Sequence, residues 1–222
     1  MKNWAKGLYH FYTHLHFPEE LPNGVEWLYP QARPEVRRVL KAFLDNYFND
    51  SNTRRLLLGI NPGRFGAGIT GVNFTASKQL TEDLGIEHPF KMQSELSADF
   101  IYKMIAAYGG PERFYAHHFI GSVCPLGFVK DGKNINYYDD KELLQTVEPF
   151  IIRCIEAQLA LPVDRTCCIV IGGDKNLKYL QRLNERHQWF GRLEPVPHPR
   201  FIMQYRRGQQ EQFIQQYLRL LQ

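Results

Sequence analysis

Nowhere in the 222 residues does an apolar run approach the roughly twenty residues that a membrane-spanning helix needs. The segment Met1 to Phe17 also lacks the unbroken apolar centre of a secretory signal, because His10, His14 and His16 interrupt its aromatics. A soluble, intracellular protein is expected. Cysteine is scarce: Cys124, Cys154, Cys167 and Cys168 form no C-x-x-C pair with a second pair or histidines at zinc spacing, and no iron–sulfur run. Reduced thiols and no metal are therefore expected. Repeats, linkers and low-complexity segments are missing too, which leaves one domain over residues 1–222 as the simplest organisation. What is present is an ordinary globular balance, 44% hydrophobic and 23% charged, which excludes a disordered or fibrous chain. The formal charge of +4 would suit a polyanionic partner without requiring one.

Apolar residues recur every three or four positions from Trp4 to Leu15 and from Pro34 to Phe48, so residues 1–50 read as a helical part. Arg54 to Ile60 carries Leu56, Leu57 and Leu58 in succession, apolar on both faces, and reads as a buried parallel strand. Residues 59–71, dense in glycine, read as an irregular loop. Beyond it, Leu96–Tyr108, Asp140–Leu159, Asp174–His187 and Gln209–Leu221 read as helices. Tyr115–Val123, Thr166–Ile171 and Leu193–Val196 read as strands. This alternation implies an α/β fold in which helices cover both faces of a parallel sheet, with the site at the strand C-termini.

Three strand ends carry a polar residue beside proline: Asn61-Pro62, Ser122 before Cys124-Pro125, and Pro197-His198-Pro199-Arg200. The glycine loop alone suggests a phosphate cradle. The specific fingerprints are missing, however: G-x-x-x-x-G-K-[ST] does not occur, and Asn61 stands where the second glycine of a G-x-G-x-x-G starting at Gly59 would be.

The run Gly59-Ile60-Asn61-Pro62-Gly63-Arg64-Phe65-Gly66, followed by Thr70-Gly71-Val72-Asn73-Phe74, resembles the first motif of single-strand-selective monofunctional uracil-DNA glycosylases, a branch of the uracil-DNA glycosylase superfamily. Tyr108-Gly109-Gly110-Pro111-Glu112 and Phe119 to Leu126 continue the resemblance, and His198-Pro199 falls where the family's second motif begins. It covers about Arg54 to the C-terminus. The resemblance implies a three-layer α/β/α fold around a central four-stranded parallel sheet, and a divergent, bacterial-type member working on DNA in the cytoplasm, at the nucleoid. It also implies a cofactor-free, metal-free hydrolase that flips a damaged base from DNA and cuts its glycosidic bond.

Within that reading Asn61 positions the water and His198 donates to the leaving base, the two groups an oxocarbenium-like reaction needs. Other branches place an aspartate at the position of Asn61, so a moderate rate is expected. Phe74 stacks on the extruded base, and Gly59, Ile60, Pro62, Gly63, Phe65, Gly71 and Ser122 complete the expected substrate contacts. Ser122 departs from the family's asparagine, trading a two-point amide for one hydroxyl that can donate or accept. A range widened to hypoxanthine or xanthine is the expectation. The run after His198 also departs from the family; it reads as a loop, on which Arg200, Phe201, Tyr205 and Arg206 are candidates for wedge and DNA-backbone contact. Arg206 reads equally as part of a solvated turn, and Arg64 as a phosphate contact or a solvent-facing residue.

Arg33, Arg37, Arg38 and Lys41 read as the wet face of a helix. His117 and His118, taken as neighbours on a strand, point to opposite faces and are no chelating pair. No lysine in the motifs stands ready as a Schiff-base nucleophile, so a lyase step is not expected. DNA with damaged bases is the expected partner of a monomer. A catalytically inactive DNA-binding module and a nucleotide-cofactor enzyme are the alternatives.

Overall fold

The structure is a computed structural model that describes residues 3–18 and 20–222; the first two residues of the N-terminal part, and Glu19 within it, lie outside the described residues. In chain order the elements are α1 (Trp4–Thr13), β1 (Val25–Leu28), α2 (Pro34–Tyr47), β2 (Arg54–Gly59), α3 (Ala67–Thr70), α4 (Ser77–Glu82), α5 (Leu96–Tyr108), α6 (Pro111–His117), β3 (His118–Ser122), β4 (Gly127–Lys130), β5 (Lys133–Ile135), α7 (Lys141–Leu159), β6 (Val163–Ile171), α8 (Lys175–His187), β7 (Arg192–Val196), α9 (Pro199–Tyr205) and α10 (Gln210–Leu221).

The main sheet is four-stranded and parallel, in the order β3-β2-β6-β7, as the alternation and the resemblance imply. Leu56, Leu57 and Leu58 of β2 are fully buried, each stabilising the fold by about 1.5–3 kcal/mol relative to exposure. Register sets the strand ends level. Gly59 lies opposite Ser122, and Ile171 opposite Val196, so the chain leaves β2, β3 and β7 along one edge. Asn61, Ser122 and His198 come together there.

Four readings of the sequence are corrected. A second, antiparallel sheet, β1-β4-β5, was not anticipated; its strands are of three or four residues, too short for a periodic signal. The glycine loop contains α3, a single turn ended by Gly71 in the left-handed region (φ 75°). Tyr115–His117, read as extended, belong to α6, which starts with Pro111 at its first turn. His117 therefore ends a helix and His118 opens a strand. Burial, then the charges of Arg55 and His117, push the His118 imidazole down to about 3, so it is neutral beside the Tyr108 hydroxyl at 3.2 Å. Finally, Arg33 and Arg37 are not simply solvated: Arg33 donates to Ile69 O (2.9 Å) and Arg37 to Gln31 O (2.6 Å).

At the start of β2 the Arg54 side chain is wholly buried. It grips Asp50 through both terminal nitrogens at 2.6 and 2.7 Å and donates from Nε to Tyr115 O at 2.6 Å. Its guanidinium also faces the rings of Phe48 and Trp4, at 4.9 and 5.2 Å. The hydrogen bonds from Arg54 hold the Asp50 carboxyl below its ordinary range. Asp50→Ala should destabilise the fold by about 2–3 kcal/mol in denaturant unfolding at neutral pH, less than for a fully buried pair because the Asp50 side chain is 35% exposed. Because the folded-state pKa of Asp50 is depressed, this contribution is present above the ordinary carboxylate range. The gap between wild type and variant should shrink as pH falls through the depressed pKa.

Candidate active site

The level strand ends open into a cleft of about 150 Å³, on the order of the ~150 Å³ apolar cavity that holds one benzene. It has room for a single ring system. Ile60, Asn61, Pro62, Gly63, Phe65, Phe74, Ser122, His198 and Arg200, all expected at the site, line it.

Asn61 leaves β2 and is clamped by the end of β5. Its Oδ1 accepts from the Tyr137 N–H at 3.2 Å, and its Nδ2 donates to Ile135 O at 3.3 Å. A carbonyl oxygen has two lone pairs, so one remains for a water or ligand. The amide is held before anything binds.

His198 is the N-cap of α9, its Nδ1 accepting from the Arg200 N–H at 3.1 Å. That bond makes Nδ1 the unprotonated nitrogen of a neutral ring and leaves the proton on Nε2. Burial, and secondly the positive charge of Arg200, lower the pKa from 6.5 to about 4, so the ring is neutral at physiological pH. Two contacts set its position: the Tyr217 hydroxyl donates to Pro197 O at 2.6 Å, and the Phe74 ring lies 5.7 Å from the imidazole, tilted by 45°. The site therefore offers a fixed N–H donor without a formal charge.

Ser122 is buried, and its hydroxyl donates to Asn73 Oδ1 at 3.1 Å. Asn73 itself lines the cleft, and its Nδ2 donates to Ile120 O and to the Tyr12 hydroxyl, each at 3.1 Å. Glu95 also borders the cleft while capping α5, its Oε2 accepting from the Ala98 N–H at 2.9 Å. Neither Asn73 nor Glu95 stood among the expected site residues. Glu95 carried a readable signal, an acidic residue at a helix start.

Gly59 and Gly71, expected against the substrate, do not line the cleft. Gly59 acts one layer below: a Cβ there would lie 2.7 Å from the Phe74 ring, so its hydrogen is what admits the aromatic. Phe74 takes a left-handed conformation (φ 52°), rare for an aromatic residue, to reach that place. Gly71 packs beneath the loop, where a Cβ would collide with Val36.

The expected wedge segment is helix α9 rather than a loop, with Pro199 at its first position. It presents Phe201 and Tyr205, 45% and 61% exposed, side by side. Arg206 lies over the Phe201 ring, 5.9 Å from its centroid. Arg64 is exposed, stacks on Phe65 at 4.6 Å and donates to Gly132 O of the β4–β5 turn. No group of three or more metal-ligating side chains occurs among the described residues. Nor is any helix among them long and apolar enough to cross a membrane.

A parallel sheet whose level strand ends hold an asparagine and a neutral histidine, joined by an aromatic from the loop after α3 around one ring-sized cleft, defines a class. A family model described as the uracil DNA glycosylase superfamily matches residues 46–222, and the chain belongs to that superfamily. Among individual proteins, the crystal structure of Pedobacter heparinus SMUG2 superposes with a TM-score of 0.95 at 38% identity, covering 99% of this chain and 97% of that one. The single-strand selective monofunctional uracil-DNA glycosylase of Rattus norvegicus is 33% identical over 148 residues, 57% of this chain and 50% of the rat protein. The Mus musculus protein of the same description is 33% identical over 144 residues, 55% of this chain and 48% of its own length. The chain spans about half the length of these curated relatives.

The neutral state of His198 is directly measurable. In a side-chain NMR titration its imidazole should stay neutral down to a midpoint near 4, not the ordinary 6.5. Arg200→Ala should raise the midpoint only slightly, because burial is the larger cause. The depressed folded-state value means that the stability tied to the neutral ring is present above about 6.5 and is lost as pH falls towards 4.

Proposed function

We propose that this protein is a monofunctional uracil-DNA glycosylase, which flips a damaged nucleotide into the cleft and hydrolyses its glycosidic bond in base-excision repair. The observation that carries the reading is the pairing, across one ring-sized cleft, of a clamped amide oxygen on Asn61 with a neutral N–H donor on His198. Glycosidic cleavage places negative charge on the departing base and positive character on the sugar. His198 Nε2–H stabilises the base oxygen as charge develops there. Asn61 Oδ1, with its free lone pair, holds water for attack on the sugar carbon. Phe74 stacks on the base. The described residues that line the cleft include no lysine, which fits hydrolysis without a Schiff-base step and an abasic product.

The exposed Phe201 and Tyr205 of α9, flanked by Arg200 and Arg206, supply the apolar group and the charges needed to enter a base stack beside phosphates. The protein acts as a monomer and needs no cofactor. The substrate range extends to hypoxanthine and xanthine, because Ser122 presents a single hydroxyl where an amide would read uracil more strictly. Binding to bulk DNA weakens as salt rises.

Base release from oligonucleotides bearing uracil, hypoxanthine, xanthine or thymine, single-stranded and paired, tests the reading through alkali-revealed abasic sites. Wild type should release uracil and at least one deaminated purine. Asn61→Ala should lower the rate on the order of 10²-fold through lost water positioning, and His198→Ala by about 10²–10³-fold through the lost donor. If DNA is bound and no base released, the protein is a binding module instead; release of uracil alone would withdraw the wider range.

A further inference from the structure

Ser122 lines the cleft, and a lone hydroxyl carries no fixed polarity: it donates one hydrogen in whichever direction an acceptor lies. Here that direction is taken. The hydroxyl donates to Asn73 Oδ1 at 3.1 Å, inside the protein. Asn73 cannot exchange its oxygen and nitrogen, because Nδ2 donates to the Ile120 carbonyl at 3.1 Å, and reversal would bring two carbonyl oxygens together. The other Nδ2 hydrogen is taken by the Tyr12 hydroxyl, also at 3.1 Å. Tyr12 is a buried residue of α1, outside the part of the chain that the family model matches.

We infer that Asn73 is a specificity-determining residue: by taking the Ser122 proton it leaves that hydroxyl only lone pairs to offer, so the cleft accepts bases whose edge presents a ring N–H. Uracil and the deaminated purines hypoxanthine and xanthine present one. Cytosine and adenine present a bare ring nitrogen at the corresponding place, and two acceptors then face each other in a site closed to water. Deamination converts cytosine to uracil and adenine to hypoxanthine, so the polarity of one buried hydroxyl separates each of these two damaged bases from its parent. Asn73 touches no reacting atom and acts through Ser122. The inference rests on the glycosylase reading.

The test uses the full chain and single-stranded oligonucleotides with one 2′-fluoro-deoxyuridine or 2′-fluoro-deoxycytidine, whose fluorine slows cleavage so that binding alone is read. Wild type should prefer the uracil probe by about tenfold, the scale of one mismatched hydrogen bond in a closed site. Asn73→Leu and the smaller Asn73→Ala, compared where thermal melts show them folded, should bring the two affinities to within about threefold, and Ser122→Ala should do the same. The double substitution Asn73→Ala, Ser122→Ala should add nothing, since both act through one hydroxyl. A general loosening of the cleft would weaken both probes and keep their ratio. Full uracil preference in both Asn73 variants, in a protein that releases uracil from unmodified DNA, would overturn this inference and leave the glycosylase reading standing. Failure of wild type to release uracil would overturn the parent reading instead.

Discussion

A buried cation at the foot of the central strand is the constraint on which the molecule is assembled. Every N–H of Arg54 has an acceptor: two on Asp50, and the carbonyls of Tyr115, Asn52 and Tyr47. An isolated guanidinium in this place would be prohibitively desolvated, so the fold is stable only when all of these groups converge. Convergence fixes the end of α2, the end of α6 and the start of β2 against one another, with Trp4 of α1 packed on the guanidinium face. The first fifty residues thus become part of the sheet's foundation. Their contribution reaches the other end of β2, where Tyr12 of the same helix holds Asn73.

From that anchor the consequences run along β2. Three fully buried leucines register the strand between β3 and β6, and the level pairing delivers Gly59 and Ser122 side by side. Gly59 then ends the strand with no side chain, and that absence admits the Phe74 ring. Two residues on, Asn61 meets the small antiparallel sheet through Tyr137 N–H and Ile135 O. The second sheet is thus a brace for one amide as well as a covering layer.

Much of this was legible in the sequence, for identifiable reasons. The both-faces-apolar run of β2 and the long helices α5, α7 and α8 carry strong periodic signals, and the motifs that resemble the family contain Asn61, Phe74 and His198, three residues that line one cleft. What escaped notice carries little local signal. The groups that fix Asn61 are main-chain atoms of Ile135 and Tyr137, and any residue supplies those. Asn73 was visible within the motif but unremarkable, because its importance comes from Ser122, forty-nine positions away. Gly59 and Gly71, read as substrate contacts, are packed by the Phe74 ring and Val36 and do not line the cleft; a glycine admits either a ligand or a neighbouring side chain, and only the packing shows which. Helix α9 did announce itself, with His198 as N-cap and Pro199 at the first position. Its departure from the family pattern led to its being read as a loop.

The four polar side chains at the heart of the cleft, Asn61, Asn73, Ser122 and His198, share one electrostatic property: none carries a formal charge at neutral pH. Each is oriented by a partner that cannot take its proton, whether a backbone N–H, a backbone carbonyl or a primary amide. A carboxylate in place of Asn61 would favour positive character on a sugar more strongly, but it would have to be desolvated whenever the cleft closed on a neutral ring. Fixed neutral dipoles avoid that penalty and need not reorganise as charge develops on the departing group. Under the glycosylase reading, the exposed Arg200, on the cleft wall, and Arg206, beyond it, then serve where phosphates pass in solvent. Recognition of the polymer and reading of the base are thereby separated in space, with α9, capped by His198 and carrying both arginines at its ends, as the element that joins them.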